Sequence, residues 1–272
     1  MSDRPTNPEQ RPSSSGISSS PSSDWHWHER EGSVWLTCDR LANWPHAFST
    51  RSSYPDRPDR LAPVQLGLSG ETAFAAQQVH GNAIAWTDVV EFPARSNSSA
   101  PLPEADAVAT SISGQSAWVM SADCVPISIA HPRAVVAIHS GWRGTAARIA
   151  PAAVASLRDR GIAPADLTVA IGPAISGQVY QVSREVGDRV RATLSDVSLD
   201  PEFPILLPDP DPDKVRLDLR NAIARQLVEM GVAIANISIS PHCTYSQPEF
   251  FFSYRRDRKS PSPIQWSGIG LR

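Results

Sequence analysis

The clearest pattern of apolar and polar positions lies in the middle of the chain. Val125, Ile127 and Ile129 alternate with smaller or polar residues. Val135, Val136 and Ile138 follow after an interruption at His131-Pro132-Arg133. A period of two predicts half-buried strands, and the interruption predicts a turn. In an antiparallel hairpin the start of the first strand lies beside the end of the second. Cys124 and His139 are therefore expected side by side at one end of a sheet. Ser140-Gly141-Trp142-Arg143-Gly144-Thr145 follows at once, which makes this the densest chemistry in the chain.

The flanking segments yield to the same treatment. Trp25, Trp27, Val34, Leu36 and Leu41 predict an opening strand or hairpin, with His26 and His28 on its solvent side. Trp44 to Arg51 predicts a strand ending in a polar turn, and residues 52–70 a loop. Strands are expected at 83–86, after Gln77-Gln78-Val79-His80-Gly81, and at 117–120, with a mobile surface loop at 93–104 between them. Thr145 to Arg160 is Ala-rich and helical, with Gly161 as C-cap and Pro151 forcing a kink or a restart. Leu167 to Ile171 predicts a strand stopped by Gly172-Pro173, and Ser183 to Leu194 a helix. Residues 197–214, rich in Asp and Pro, predict an irregular surface excursion. Asp218 suits the N-cap of a helix to Met230, with Gly231 past its end and Leu219, Ile223, Leu227 and Met230 as the buried stripe. Ile237 and Ile239 mark a strand, and Phe250 to Asp257 a late core strand running into a basic turn. There is no internal repeat. About three helices between groups of strands give an α+β fold, with helices on the outer faces of packed sheets.

Composition changes this picture only at the edges. Residues 1–23 are Ser- and Pro-rich with few apolar side chains and are expected to be disordered. A transit peptide finds Arg4 and Arg11 in its favour and Asp3 and Glu9 against it. The 272 residues suffice for a sizeable core. A net charge of −3 gives no support for nucleic acid or an anionic membrane as partner. No apolar run reaches a membrane span or a signal-peptide core. Cys38, Cys124 and Cys243 are far apart and form no disulfide framework, so a reducing, cytoplasmic setting is expected. Neither a Gly-x-Gly-x-x-Gly nor a Gly-Lys-Ser loop is present, which leaves a nucleotide-cofactor fold unsupported.

His80, Cys124 and His139 form a set of two imidazoles and one thiolate. Such donors match zinc, and three of them leave a fourth position for water or substrate. The separations resemble a catalytic site assembled from strand ends; a buried Cys beside unrelated histidines is the alternative. Asp123 is either a strand-end cap or, if the chain turns there, a partner of the site or a base. Ser140 and Arg143, just ahead of a helix, suit a phosphate or an oxyanion. Arg255 and Arg256 form a second basic cluster, with a solvated turn as the plainer account of at least one. Arg51 is either a surface charge or an anion contact.

Several of these residues fall in motifs of one family. Gln78-Val79-His80-Gly81, Ala105-Asp106-Ala107, Ser121-Ala122-Asp123-Cys124-Val125-Pro126, Ile138 to Thr145, Ile171-Gly172-Pro173-Ala174-Ile175, Tyr180-Gln181-Val182, Cys243-Thr244 and Phe251 to Asp257 occur in the order of the YfiH family. That family is also described as polyphenol oxidase, laccase-domain protein and purine nucleoside phosphorylase. The resemblance runs from about Trp44 to the C-terminus. It implies a single domain of packed mixed β-sheets flanked by helices, similar to Cys-His deamidating toxins and occupying residues 24–272. It also implies a zinc site at His80, Cys124 and His139, with copper less favoured. Two motifs depart from the family. Thr50-Arg51-Ser52-Ser53-Tyr54 lacks its glycine turn, and Gln265-Trp266-Ser267-Gly268 stands in place of a Thr-Gly-Arg.

The activity so implied is phosphorolysis of adenosine, inosine, guanosine and methylthioadenosine, with adenosine deamination at the same site. Purine nucleosides and phosphate are the expected partners, and a monomer or small homo-oligomer the expected state. Cys124, His139 and Asp123 are the expected catalytic residues, and Arg51, Ser140, Arg143 and Arg255 the expected substrate or phosphate contacts. Three rivals stand beside this one. One is a thiol amidase with Cys124 as nucleophile and His139 as base, which would fit the resembled family's link to editing of cell-wall peptide precursors. A multi-copper polyphenol oxidase needs several centres, and only seven histidines exist. A binding module with a structural metal would turn over no nucleoside.

Overall fold

In the central hairpin, side-chain size decides which face meets which layer. Pro126 pairs with His139 and Val125 with Ser140, as the hairpin prediction required. Val125, Ile127, Ile129, Val136 and Ile138 point to one side, towards helices. Ala130, Val135 and Ala137 point to the other, towards a second sheet. Both faces are buried, where the alternation predicts one. Small residues alternate with branched ones here because another sheet approaches closely, not because water does.

The computed structural model of the chain describes residues 24–92, 101–195, 204–258 and 263–272. The expected N-terminal tail, most of the 93–104 loop and part of the 197–214 excursion lie outside the described residues. One six-stranded sheet has the order β1 (Trp25–Arg30), β2 (Ser33–Cys38), β3 (His46–Ser49), β15 (Gln265–Gly270), β7 (Ser116–Ser121), β4 (Ala73–Ala75). The other has the order β14 (Ile237–Ile239), β10 (Thr168–Ile171), β8 (Val125–His131), β9 (Ala134–Ser140), β6 (Ala107–Thr110), β5 (Ile84–Trp86). Each is mixed: β4 runs parallel to β7, β5 to β6 and β14 to β10, while β8, β9 and β6 are antiparallel neighbours. A small antiparallel sheet joins β11 (Gln181–Ser183), β13 (Lys214–Leu217) and β12 (Leu206–Leu207).

Trp25, Leu36, Phe48, Val108, Val119 and Ile269 fill the space between the two large sheets. Helices α3 (Ile149–Asp159) and α5 (Leu219–Glu229) cover the outer face of the hairpin sheet with Ile149, Val154, Leu157, Ile223 and Leu227. Each such side chain contributes roughly 1.5–3 kcal/mol by leaving water. On the outer face of the other sheet, α1 (Pro58–Leu61) and the turn after it bury Leu61, Ala62 and Leu66 against Trp35 and Trp118. This is the α+β fold expected. Among the described residues, no helix is long and apolar enough to cross a membrane.

Asp218 caps α5 as predicted, accepting from the amides of Arg220 (3.0 Å) and Asn221 (3.3 Å). Ser183 caps α4 (Arg184–Arg191) through the amide of Val186. The helix predicted from Thr145 begins earlier and is broken. A short α2 (Trp142–Ala146) ends before Arg148, whose φ of 59° stops the first run, and α3 starts behind it. Pro151 then sits in the first turn of α3, where it costs no helical hydrogen bond. Residues 52–70 hold α1 and further helical turns rather than a loop. The 197–214 excursion ends in β12 and the start of β13. Phe250 to Phe252 are core but not strand: the Phe251 amide goes to the Gln247 carbonyl and the Phe252 amide to the Gln265 side chain. The one-turn helix α6 (Tyr254–Asp257) follows, capped by Ser253.

Candidate metal centre

Three separate backbone features deliver the His-Cys-His set. His80 sits in the loop between β4 and β5 with a φ of 60°, a left-handed turn that projects its ring. Cys124 immediately precedes β8, behind Asp123 with a φ of 94°. His139 is the penultimate residue of β9 and is buried. The thiol and one ring nitrogen of each histidine all lie within 4.8 Å of one another, the one such group of His, Cys, Asp or Glu among the described residues. The two imidazoles meet edge-on, with centroids 4.9 Å apart. A tetrahedral ion with bonds of ~2.0–2.3 Å needs donors roughly 3.3–3.7 Å apart, so binding it would draw the most distant of these atoms together by about 1 Å. His80 is exposed and Cys124 half-buried, so the centre opens to solvent on the His80 side.

Gly141 keeps the space beside the thiol free. A Cβ there would stand 2.9 Å from Cys124 Sγ and 3.2 Å from His80 Cδ2. The residue type is therefore dictated by close approach rather than by its backbone angles, since its φ is −81°.

Asp106 locks the two histidines together. Its Oδ1 accepts from His139 Nδ1 (2.8 Å) and from the His80 amide (3.0 Å). Its Oδ2 accepts from the amides of Gly81 (2.7 Å) and Val79 (3.1 Å). A carboxylate on Nδ1 turns Nε2 towards the centre, the usual outer partner of a ligating imidazole. Burial works against its charge, but His139 and these amides outweigh it and hold the Asp106 carboxyl below the usual carboxylate range. In the metal-free centre, burial alone would raise the Cys124 thiol, yet its bonds to His139 and His80 bring it down to about 7. Burial also opposes charge on His139, while Asp106 and Cys124 pull it up to about 9. Thiolate and imidazolium thus stabilise each other. No sequence expectation gave Asp106 this role. The available signal was a carboxylate inside the apolar run Ala105 to Val108.

The chain does turn at Asp123, but its carboxylate is committed elsewhere. Oδ1 accepts from the Thr244 hydroxyl (2.7 Å); Oδ2 accepts from the Ser253 hydroxyl (3.0 Å) and the Arg255 amide (2.7 Å). Asp123 braces the C-terminal segment against the turn that presents Cys124, with three of its roughly four acceptor positions taken. Arg256 is a brace too, donating to the carbonyls of Thr244, Tyr245 and Phe251.

The other expected contacts divide. Ser140 is buried with its hydroxyl on Thr145 (2.9 Å). Arg51 lies over the Phe252 ring and bonds the Pro248 carbonyl. Arg143 is exposed and stacks on Trp142, 4.4 Å from the ring centre. Arg255 donates to the Gln181 carbonyl (2.7 Å) and lies 4.9 Å over the Tyr180 ring. Burial, then the Cys124 charge, push the Tyr180 hydroxyl up to about 12, so it stays protonated. Tyr180 and Trp142 carried no site role in the sequence expectations.

A sandwich of mixed sheets with a thiol-imidazole centre at its strand ends defines the class. The crystal structure of YlmD from Geobacillus stearothermophilus shares this fold, with a TM-score of 0.77 and 31% identity over 90% of this chain and 98% of that one. The family model described as multi-copper polyphenol oxidoreductase laccase matches residues 57–271, and the chain belongs to that family, the YfiH family of its motifs. It is 41% identical over 260 residues to purine nucleoside phosphorylase slr1573 of Synechocystis, covering 90% of this chain and 96% of that one. It is also 34% identical over 197 residues to adenosine deaminase RL5 from an unknown prokaryotic organism, covering 71% and 73%.

Proposed function

We propose that the chain is a purine nucleoside phosphorylase that also deaminates adenosine, built on a zinc ion held by His80, Cys124 and His139. The observation that carries this is the convergence of two imidazoles and one thiol within 4.8 Å, open to solvent at His80. The names of the relatives supply the substrate class: purine nucleosides, with adenosine, inosine, guanosine and methylthioadenosine as the set to test. The donor set fits zinc, and Gly141 leaves room beside the sulfur. A bound zinc with one open position would supply Lewis acidity towards water or substrate.

The chain's own residues do the rest. Asp106 fixes the ring orientation of His139 and the loop of His80. Asp123 holds Arg255 beside the Cys124 turn. Of the four expected substrate-side residues, Ser140 is buried with its hydroxyl engaged, while Arg51, Arg143 and Arg255 each keep guanidinium donors free. In phosphorolysis a phosphate oxygen bonds to C1′ as the C1′–N9 bond breaks. The electron pair leaves on the purine, which takes the proton of hydrogen phosphate. In deamination, water oxygen bonds to C6 as the C6–N bond breaks; one of the water's protons leaves on ammonia and the other stays on the purine at N1.

Release of adenine from adenosine should require phosphate and vanish in His80→Ala. Undiminished release in that variant refutes the site. Multi-copper oxidation is disfavoured because such chemistry needs several centres and the described residues converge once. The thiol amidase is favoured by the close approach of Cys124 to His139, which helps bring the thiol down to about 7. Activity that survives chelation but not alkylation would select it.

A further inference from the structure

Trp142 stands between two clefts. One, of about 520 Å³, is lined by Trp142, Arg143, Ala146 and Arg189 among others. The second, of about 300 Å³, is lined by Trp142, Tyr180, Gln181, Ser183, Lys214 and Arg255 among others. Two lining residues of the smaller cleft are tied to residues beside the centre. Trp142 follows Gly141, where a single added carbon would touch Cys124 Sγ. Arg255 gives its amide to Asp123, the residue before Cys124.

The charges in the smaller cleft are unbalanced. The chain has two lysines, Lys214 and Lys259, against 23 arginines. Lys214 lies on β13 opposite Ser183 and is half-buried. Its ammonium has no ion pair and no hydrogen bond within the described residues; only its backbone amide is engaged, with the Asp211 carbonyl (3.0 Å). Arg255 is pinned by the Gln181 carbonyl and the Tyr180 face, which leaves its remaining N–H groups free. The eight-residue helix α4 starts at the same place, since Ser183 caps it and Val186 lines the cleft. Its N-terminus adds partial positive charge. Two cations and a helix start around one small cleft repel each other unless an anion joins them.

We propose that this cleft is the phosphate subsite of the centre, with Arg255 and Lys214 as its cationic ligands and Arg143 outside it. The inference rests on the phosphorylase activity proposed above. The ligand is a tetrahedral phosphate dianion, either free or carried on a nucleoside.

The test uses the full-length, metal-loaded protein. Equilibrium dialysis measures binding of inorganic phosphate and of adenosine 5′-monophosphate, and adenine release gives the KM for phosphate and for adenosine. Lys214→Met and Arg255→Met should each weaken phosphate by about tenfold or more in Kd and KM. The KM for adenosine should move far less, and Lys214→Arg should restore most of the loss. Arg189→Gln, on the other side of Trp142, should bind phosphate like wild type. Weakened adenosine 5′-monophosphate with unaltered inorganic phosphate would uphold the cleft for a carried phosphate. Wild-type affinity for both ligands in Lys214→Met and Arg255→Met overturns the proposal, as does a wild type that binds neither. Dialysis separates the two claims: phosphate that binds through Lys214 to a protein releasing no adenine upholds the cleft and refutes the phosphorylase.

Discussion

Asp106 and His139 meet at 2.8 Å, and the same carboxylate takes the amides of Val79, His80 and Gly81. One side chain thus fixes both imidazoles, although His80 and His139 come from different parts of the chain. Asp106→Asn keeps the size but removes the charge and places a donor where acceptors are needed. Zinc affinity, measured by competition with a chromogenic chelator, should fall by about 10–100-fold. An unchanged affinity would mean that Asp106 plays no part in holding the ligands.

Gly141 gives a steric test of the same centre. In Gly141→Ala the new methyl group stands 2.9 Å from Cys124 Sγ, closer than unbonded atoms allow. Because the clash is confined to the centre, the melting temperature should change little while metal content per chain drops well below one. Full metal content in this variant would place the ion elsewhere.

The metal-free protein should show an unusually reactive thiol. His139 and His80 bring the Cys124 thiol down to about 7, so alkylation by iodoacetamide is expected to accelerate as pH rises through about 7. Removing the stabilising imidazole in His139→Ala should shift that midpoint upward. A wild-type midpoint at the ordinary cysteine value would contradict the thiolate-imidazolium pair.

Asp123 should matter for the fold. Asp123→Ala strips a partner from Thr244, Ser253 and the Arg255 amide, three donors bound to one buried carboxylate. A loss of about 3 kcal/mol is expected in urea unfolding. A variant as stable as wild type would show that water replaces the carboxylate without penalty.

The legible parts of this chain were those written in local periodicity. The hairpin from Val125 to Ser140 and the helix behind Asp218 were visible because apolar spacing and caps lie within a few residues of one another. β15 was not. Gln265-Trp266-Ser267-Gly268-Ile269-Gly270 has two glycines and little strand propensity, yet it pairs with both β3 and β7. Gly268 is required there because a Cβ would sit 2.3 Å from the Trp118 ring, a contact with no local signature. Phe250-Phe251-Phe252 misled in the opposite direction: its apolar run reflects burial, while its amides serve a turn and a side chain. The ligand set could be proposed from residue types, but the outer carboxylate could not. Asp123, next to Cys124 in sequence, was the expected partner, whereas Asp106 reaches His139 through the pairing of β6 with β9.

Zinc-edge X-ray absorption of the purified protein tests the central claim most directly. One zinc per chain should give a first shell with one sulfur at ~2.3 Å and two imidazole nitrogens at ~2.0–2.1 Å. The sulfur should disappear in Cys124→Ala. A shell without sulfur, or several coppers per chain, would contradict a single His80-Cys124-His139 centre.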